Sequence, residues 1–402
     1  MIKDKIANDI YLLSMNVENI LFESMWDLPE GVSLNSYIVK GEKTAIIDGV
    51  IGWDGVPETL YEHLEACNVN PMDIDYLIVN HMEPDHAGWI ENFKEIKKDF
   101  TVVISKKGEA ILRSYYGDEL NILVVNEGDT LDLGNGKVLS FHMIPNVHWP
   151  ETMMTLETST KTLFTCDLYG SFGTLNERFF DELMTKEDKE FFEEEGLRYF
   201  SNVLATFSPM VKRAVAKTRE LGVALIAPGH GPLYKNPESI MQDYERYCDY
   251  AKGPAKKEIT ILWGSMYGET GRTVEFAENH FLSKGIKVNN LQLPQASESD
   301  VVTSVFKSSI VLVAAPTYEY KMFPPVAHAL DEIGRKKISG KKAMYFGSYG
   351  WNSGAKREFE NIIDNYKMKW DIHDLIEFNG RACDNMYISI QNSLDELIKD
   401  FI

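Results

Sequence analysis

Six consecutive residues, His81-Met82-Glu83-Pro84-Asp85-His86, concentrate metal-binding chemistry in this chain. They follow the apolar run Tyr76-Leu77-Ile78-Val79-Asn80, which reads as a short buried strand. Pro84 and the pair Ala87-Gly88 impose a loop before the next amphipathic stretch. Two imidazoles and two carboxylates, with no thiolate, form a mixed N/O donor set. Such a set suits iron, manganese or zinc, and the extra carboxylate favours a harder, more highly charged centre. A solvated loop collects one or two of these residues by chance, whereas four in six, with three more downstream, read as a metal motif.

The three others are His148, after Met143-Ile144-Pro145-Asn146-Val147 (read as a strand leading into a loop); Asp167, after Thr162-Leu163-Phe164-Thr165-Cys166; and His230, inside Ala227-Pro228-Gly229-His230-Gly231. Each stands where an apolar strand ends, the place at which layered α/β folds gather ligands. Four histidines and three carboxylates exceed the needs of one tetrahedral ion and suffice for two ions sharing a carboxylate. Spacing alone leaves open which carboxylate bridges.

A second cluster opens with Ile259-Thr260-Ile261-Leu262-Trp263-Gly264, a strand feeding Ser265, Met266, Tyr267, Gly268, Glu269, Thr270 and Gly271. A strand, a loop of hydroxyls and glycines, and a following helix make a phosphate cradle from backbone N–H groups and the helix N-terminus. There is no Walker lysine and no Gly-x-Gly-x-x-Gly pattern. Two later loops, Pro316-Thr317-Tyr318-Glu319-Tyr320 and Ser348-Tyr349-Gly350-Trp351-Asn352, bring aromatics and hydroxyls to the ends of the third and fourth strands of this region. A flat ring fits between such loops at a switch-point crevice.

The elements that must position these groups fall into two regimes. Over residues 9 to 250, short β-rich runs alternate with turns and a few helices: 10–13, 36–39, 44–48, 100–104, 121–125, 137–141 and 223–227 read as strands. Asp132-Leu133-Gly134-Asn135-Gly136 reads as a turn, 57–67 as helical, and 187–250 as mostly helical. That mixture suits a two-sheet αββα sandwich. Residues 252–257 read as a linker. Beyond it, strands at 258–263, 286–293, 309–315, 342–347 and 372–378 alternate with amphipathic helices, which predicts a doubly wound five-stranded parallel sheet. The expected domains are therefore 1–252 and 253–402. Glu193-Glu194-Glu195 reads as a solvated helix face, and His63, His142, His280, His328 and His373 match no motif and read as structural or surface residues.

At 402 residues, two domains are the natural expectation. A net charge of −20 argues against nucleic acid or an anionic membrane as partner. The start, Met1-Ile2-Lys3-Asp4-Lys5-Ile6, lacks the apolar core of a signal peptide, and no apolar segment approaches the length of a membrane span. The four cysteines (Cys67, Cys166, Cys248 and Cys383) form no Cys-x-x-Cys pair, so a reducing cytoplasm without a disulfide framework is expected.

The order His-x-Glu-x-Asp-His, then His, Asp and His, resembles the flavodiiron proteins, whose metal domain has the metallo-β-lactamase fold. Glu83 stands where hydrolases of that fold carry a second histidine. The stretches His148-Trp149-Pro150-Glu151-Thr152-Met153 and 164–173 share the likeness, and the C-terminal region resembles flavodoxin. The resemblance implies that His81, Glu83 and His148 hold one iron, that Asp85, His86 and His230 hold the other, that Asp167 bridges them, and that the second domain binds FMN. It implies an oxidoreductase that reduces dioxygen to water, nitric oxide to nitrous oxide, or both, working as a head-to-tail homodimer or a dimer of dimers. The alternative is a metal-dependent hydrolase with a regulatory flavodoxin module. No rubredoxin-like cysteine pairs and no nicotinamide fingerprint are present, so a separate donor, rubredoxin or a reduced deazaflavin, is expected. Tyr199 is the candidate proton or hydrogen-bond donor, and Glu23 and Trp26 are candidates for the wall over the irons. With no histidine near Glu23, dioxygen is the expected main substrate and nitric oxide a secondary one.

Overall fold

The structure is a computed structural model that describes residues 2–49, 61, 64–253 and 255–401, and every count below refers to these. Most of the helix expected at 57–67, and His63 with it, lies outside the described residues. The chain forms two compact bodies. One comprises Met1–Phe22, Leu28–Phe200 and Pro209–Glu245; the other comprises Glu23–Asp27, Ser201–Ser208 and Arg246–Ile402.

The first body is built on two sheets. The seven-stranded sheet runs, edge to edge, Ile2–Ala7, Ile10–Val17, Val32–Lys40, Thr44–Ile47, Ile74–Val79, Thr101–Ser105 and Asn121–Val125. Its first four strands pair antiparallel and the remaining pairings are parallel, with Ile47 opposite Ile78 and Val79 opposite Ile104. Successive side chains alternate between faces. Leu12, Ile47 and Ile78 pack into the sandwich interior against Phe141, Met153 and Phe164 of the second sheet. Leu13, Ile46, Leu77 and Val79 pack the other way, onto Trp89, Ile90, Phe93 and Leu112 of the helices Trp89–Ile96 and Gly108–Tyr116. Burial on both faces explains why these strands read as unbroken apolar runs. Each fully buried large apolar side chain contributes roughly 1.5–3 kcal/mol.

The five-stranded sheet runs Thr130–Gly134, Lys137–Met143, Met153–Glu157, Thr162–Cys166 and Leu225–Pro228. It differs from the sequence reading in three ways. The residues read as a turn at 132–136 include the end of a strand, whose Asp132 carboxylate accepts the Gly134 N–H at 2.8 Å to tighten the hairpin. Met153–Glu157 is a strand that the sequence reading lacked. Residues 144–147, read as a strand, lie beyond its end at Met143: Pro145 has no N–H to offer a ladder, and Asn146 takes a left-handed φ of 62°. In the helix Lys186–Tyr199, Glu195 is buried with Arg198 Nε 3.3 Å away, so the acidic run is not wholly a solvated face.

The second body holds a parallel sheet in the order Lys287–Gln292, Lys256–Trp263, Ser308–Ala314, Lys342–Tyr349 and Asp371–Asn379. In chain order this is second, first, third, fourth, fifth, the flavodoxin-like winding with its switch point between the first and third strands. Ile259, Ile261, Leu312 and Phe346 pack onto Val274, Phe281, Ile390 and Leu394 of the helices Glu269–Ser283 and Asp384–Leu397. Strand Lys256–Trp263 takes up the last two residues of the segment read as a linker.

Candidate functional sites

In the first body, the ends of four strands deliver all seven predicted ligands to one place. Strand Ile74–Val79 stops at Asn80, which is pinned on three sides. Its N–H donates to Asp48 Oδ1 at 2.9 Å, its carbonyl accepts from Met153 N at 2.9 Å, and its side-chain oxygen accepts from Thr155 Oγ1 at 2.7 Å. His81 therefore leaves a fixed point, and Pro84 starts the short helix Pro84–Ala87 that turns Asp85 and His86 inward.

The His230 loop is fixed from across the sandwich by one face of strand Val32–Lys40. Asn35 Nδ2 donates to the carbonyls of Pro228 (3.1 Å) and Gly231 (2.9 Å), Tyr37 Oη donates to the Pro228 carbonyl (2.6 Å), and Ser33 Oγ accepts the Gly231 N–H (2.8 Å). Gly229 is required by close approach, since a Cβ there would meet His86 Cε1 at 2.7 Å.

The donor atoms sort into two groups. His81 Nε2, His148 Nε2 and Glu83 Oε2 lie 2.9–3.3 Å apart. Asp85 Oδ2 lies 3.5 Å from His86 Nε2 and 3.4 Å from His230 Nε2. Asp167 stands between them. Its Oδ2 is 3.4 Å from His81 Nε2 and 3.6 Å from His148 Nε2, while its Oδ1 is 3.1 Å from His86 Nε2 and 3.5 Å from His230 Nε2. Donors about 2.1 Å from a common ion stand roughly 3.0–3.5 Å from one another, so both groups have the spacing of a coordination shell. Several of these buried atoms have no hydrogen-bond partner: both Asp85 oxygens, Asp167 Oδ2 and His230 Nε2. Buried polar atoms left this way are costly unless something else engages them, and a pair of cations fits the donor set.

The electrostatics agree. Burial disfavours the charged form of His230, but the Asp167 and Asp85 carboxylates facing it outweigh burial and push its pKa up to about 10. Burial likewise opposes ionisation of Glu83, and the His148 and His81 rings overcome it and bring that carboxyl down to about 2. Behind the donors, Tyr199 Oη donates to Asp167 Oδ1 at 2.9 Å, and burial with the adjacent carboxylate holds its pKa well above that of an ordinary phenol. Tyr199 is thus placed to orient Asp167. Glu23 and Trp26 belong to the second body, where Glu23 accepts the Trp26 indole N–H at 2.8 Å and Lys336 Nζ stands 4.3 Å over the Trp26 ring. Of the histidines without a motif, His142 faces Ser140 and Glu127, His280 pairs with Asp395, His328 pairs with Glu298, and His373 is exposed. Glu151, three residues after His148, is buried with its Oε1 2.7 Å from His81 Nδ1.

In the second body, the carboxyl ends of the strands enclose a cavity of about 410 Å³. It is lined by Ser265, Met266, Tyr267, Glu269, Pro316, Thr317, Tyr318, Glu319, Ser348, Tyr349, Gly350 and Trp351, together with Gly380, which the sequence reading missed. Four expected residues do not line it. Gly268 caps the helix at a φ of 93°, its N–H accepted by Ser265 Oγ at 3.0 Å; Thr270 is fully buried with its hydroxyl 3.1 Å from Ser348 Oγ; Tyr320 and Asn352 are exposed outside the lining. Tyr267 is 93% exposed and Trp351 83%. Aromatics of that size held in water at a pocket rim suit a flat, partly apolar ligand.

A metallo-β-lactamase-like domain with a two-position metal site, followed in the same chain by a flavodoxin-like domain, defines the class. The comparisons agree. The family described as ODP family beta lactamase matches residues 32–231. The anaerobic nitric oxide reductase flavorubredoxin of Aliivibrio salmonicida is 32% identical over 82% of this chain, which spans only 65% of that protein's length. A nitric oxide reductase of Moorella thermoacetica is 28% identical, over 84% of this chain and 83% of its own. The solved structure of a flavo di-iron protein variant from Thermotoga maritima superposes with a TM-score of 0.88 at 27% identity, covering 100% of this chain and 98% of that one. The chain belongs to the flavodiiron proteins and is an oxidoreductase. None of its described helices is long and apolar enough to cross a membrane.

Proposed function

We propose that this chain reduces dioxygen, nitric oxide, or both at a non-haem diiron centre supplied with electrons through FMN. The observation that carries the reading is Asp167, whose two oxygens each face a separate group of one carboxylate and two imidazoles. His81, Glu83 and His148 would hold one iron, Asp85, His86 and His230 the other, with Asp167 shared. The harder donor set supplied by Glu83 favours iron over zinc. FMN would lie in the 410 Å³ cavity with its phosphate on the Ser265–Thr270 loop and its ring beside Tyr318 and Trp351. When bound, two ferrous ions and one reduced flavin would supply the four electrons needed to take dioxygen to water, and two of these would suffice to couple two nitric oxide molecules into nitrous oxide.

Around that chemistry the residues of this chain bind and orient. Tyr199 fixes Asp167, and the Ser33, Asn35 and Tyr37 face fixes the His230 loop. Glu23 and Trp26 are occupied with each other and supply no reason to set nitric oxide second. The names of the relatives favour nitric oxide as a substrate, and we carry both gases forward. We assign residues 1–252 to the metal domain and 253–402 to the FMN domain. We place the chain in the cytoplasm, where thiols stay reduced. It takes electrons from a separate rubredoxin or a reduced deazaflavin and works as a head-to-tail dimer or a dimer of such dimers.

The test is metal and flavin content of anaerobically prepared protein, followed by turnover of each gas with one donor. Two irons and one FMN per chain with gas consumption are expected. A zinc-loaded, colourless protein that hydrolyses esters or amides would establish the hydrolase alternative, and full activity of a monomer at high dilution would remove the dimer.

A further inference from the structure

Of the His81, His86 and His230 imidazoles, only that of His81 has its Nδ1 hydrogen-bonded to a carboxylate among the described residues. His81 has its Nδ1 2.7 Å from Glu151 Oε1, a carboxylate oxygen only a few per cent exposed. His230 has its Nδ1 3.0 Å from the neutral carbonyl oxygen of Ser33, and His86 Nδ1 has no hydrogen-bond partner among the described residues. The nearby Asp48 accepts from the N–H and the Nδ2 of Asn80 instead. One position therefore has an imidazole backed by an anion, and the hydrogen bonds of the other provide none.

Glu151 is itself rigidly set. The same Oε1 accepts the Met82 N–H at 3.0 Å, the Glu151 carbonyl accepts Ser105 Oγ at 2.6 Å, and the neighbouring Trp149 ring meets His81 edge-on at 5.0 Å. Both side-chain bonds fall on Oε1, while the buried Oε2 has no hydrogen-bond partner. A glutamine could accept both bonds through one amide oxygen without burying a charge. A purely structural role therefore leaves the charge unexplained, and a buried, half-satisfied carboxylate is costly. What the charge does add is on the far side of the ring. A carboxylate accepting the Nδ1 proton fixes the tautomer and raises the basicity of Nε2 as a ligand.

We propose that Glu151 is a positioning residue that fixes His81 as an Nε2 donor and, through its charge, makes the His81–Glu83–His148 position the tighter of the two metal positions. The inference rests on the two-metal reading above. It is tested on the full chain, freed of metal and titrated anaerobically with Co(II) against a competing chelator, the cobalt absorption reporting occupancy. The wild-type chain takes up cobalt in two steps. In Glu151→Gln the tighter step weakens roughly 10- to 100-fold and the weaker step stays where it was, with the unfolding midpoint of the metal-free protein nearly unchanged. Asp85→Asn, aimed at the other position, removes the weaker step and leaves the tighter one.

A Glu151→Gln isotherm that superposes on wild type, or one in which both steps weaken alike, overturns the proposal. If that variant fails to fold, Glu151→Asp keeps the charge but draws it back by one methylene. Weakening of the tighter step alone then supports the proposal, and an unchanged isotherm overturns it. A wild-type chain that binds only one cobalt ion counts against the two-metal reading itself, a result separate from any effect of Glu151.

Discussion

Replacing Asp167 by asparagine keeps the shape of the shared ligand and removes half of its ligating capacity, so it asks which metal position that half serves. An amide has one oxygen, and Tyr199 decides where it sits. The Tyr199 hydroxyl donates to Asp167 Oδ1 at 2.9 Å and is fully buried. With the amide oxygen at the Oδ1 position this bond survives as a neutral one; with the NH2 there, the hydroxyl accepts from the amide and its own proton loses its acceptor. A neutral hydrogen bond contributes about 1 kcal/mol net and a stranded buried hydroxyl costs about 1–3 kcal/mol. The reverse orientation regains part of this, because its NH2 would lie about as far from His86 Nε2 as Oδ1 does, 3.1 Å. With the amide donating to the hydroxyl oxygen in the reverse orientation, the balance favours oxygen at Oδ1 by about 1 kcal/mol, or roughly fivefold. The NH2 then faces His81 and His148, and the position they share with Glu83 loses a ligand. Anaerobic iron loading followed by desalting and metal analysis should leave one iron per chain in place of two. Adding Tyr199→Phe to Asp167→Asn removes the orienting bond, and iron should then spread over both positions at less than full occupancy. Retention of two irons by Asp167→Asn, or loss of both, would refute the reasoning.

Three further outcomes follow from other parts of the molecule. Gly229→Ala should weaken metal binding at the His86 position at least tenfold, measured by competitive titration, and destabilise the fold by about 1–3 kcal/mol, because the new Cβ meets the immobile His86 ring at 2.7 Å. Trp351→Ala should lower FMN affinity, followed by flavin fluorescence, roughly tenfold or more while leaving iron content unchanged, since Trp351 lines only the cavity of the second body. Lys341 is buried, which pulls its pKa from 10.5 down to about 7, with Nζ donating to the Phe306 carbonyl at 2.7 Å. Between those two values the unfolded chain holds the extra proton, so stability rises with pH by up to about 1.4 kcal/mol per unit. Denaturant melts of Lys341→Met from pH 7 to 10 should lack that slope, and an unchanged slope would show that the lysine is charged in the fold.

How much of this was readable in the sequence depends on how far each constraint reaches along the chain. The cluster from His81 to His86 was legible because an apolar run, a proline and four donors are adjacent. The winding of the second body was legible because three of its five strands carry apolar runs and an amphipathic helix follows each strand along the chain. Met153–Glu157 was missed because Met-Met-Thr-Leu-Glu carries a single β-branched residue, and Thr130–Gly134 because its turn signals begin within the strand. The seven donors that converge were legible, but which carboxylate lies between the two groups was not, since that depends on the separate directions of the two Asp167 oxygens. Glu151 had no local signal beyond being an acid two residues after a tryptophan. Its meaning comes from His81, seventy positions earlier.

The same argument accounts for the precision of the site. His230 is aimed by bonds from Asn35 and Tyr37 to the carbonyl of Pro228, which join residues 193 and 191 positions apart. Ser33, Asn35 and Tyr37 are neighbours only by the two-residue period of a strand, and in the sequence they look like polar interruptions of an apolar run. Buried polar side chains on an inward face are expensive unless they satisfy something, and here they satisfy the backbone of the loop that carries His230. A polar residue that interrupts an inward-facing strand position near the strand's end therefore marks a functional loop as clearly as the ligand does, provided the loop it serves can be identified. In this chain that loop is Pro228-Gly229-His230-Gly231, where the glycines allow the close approach and the strand supplies the aim.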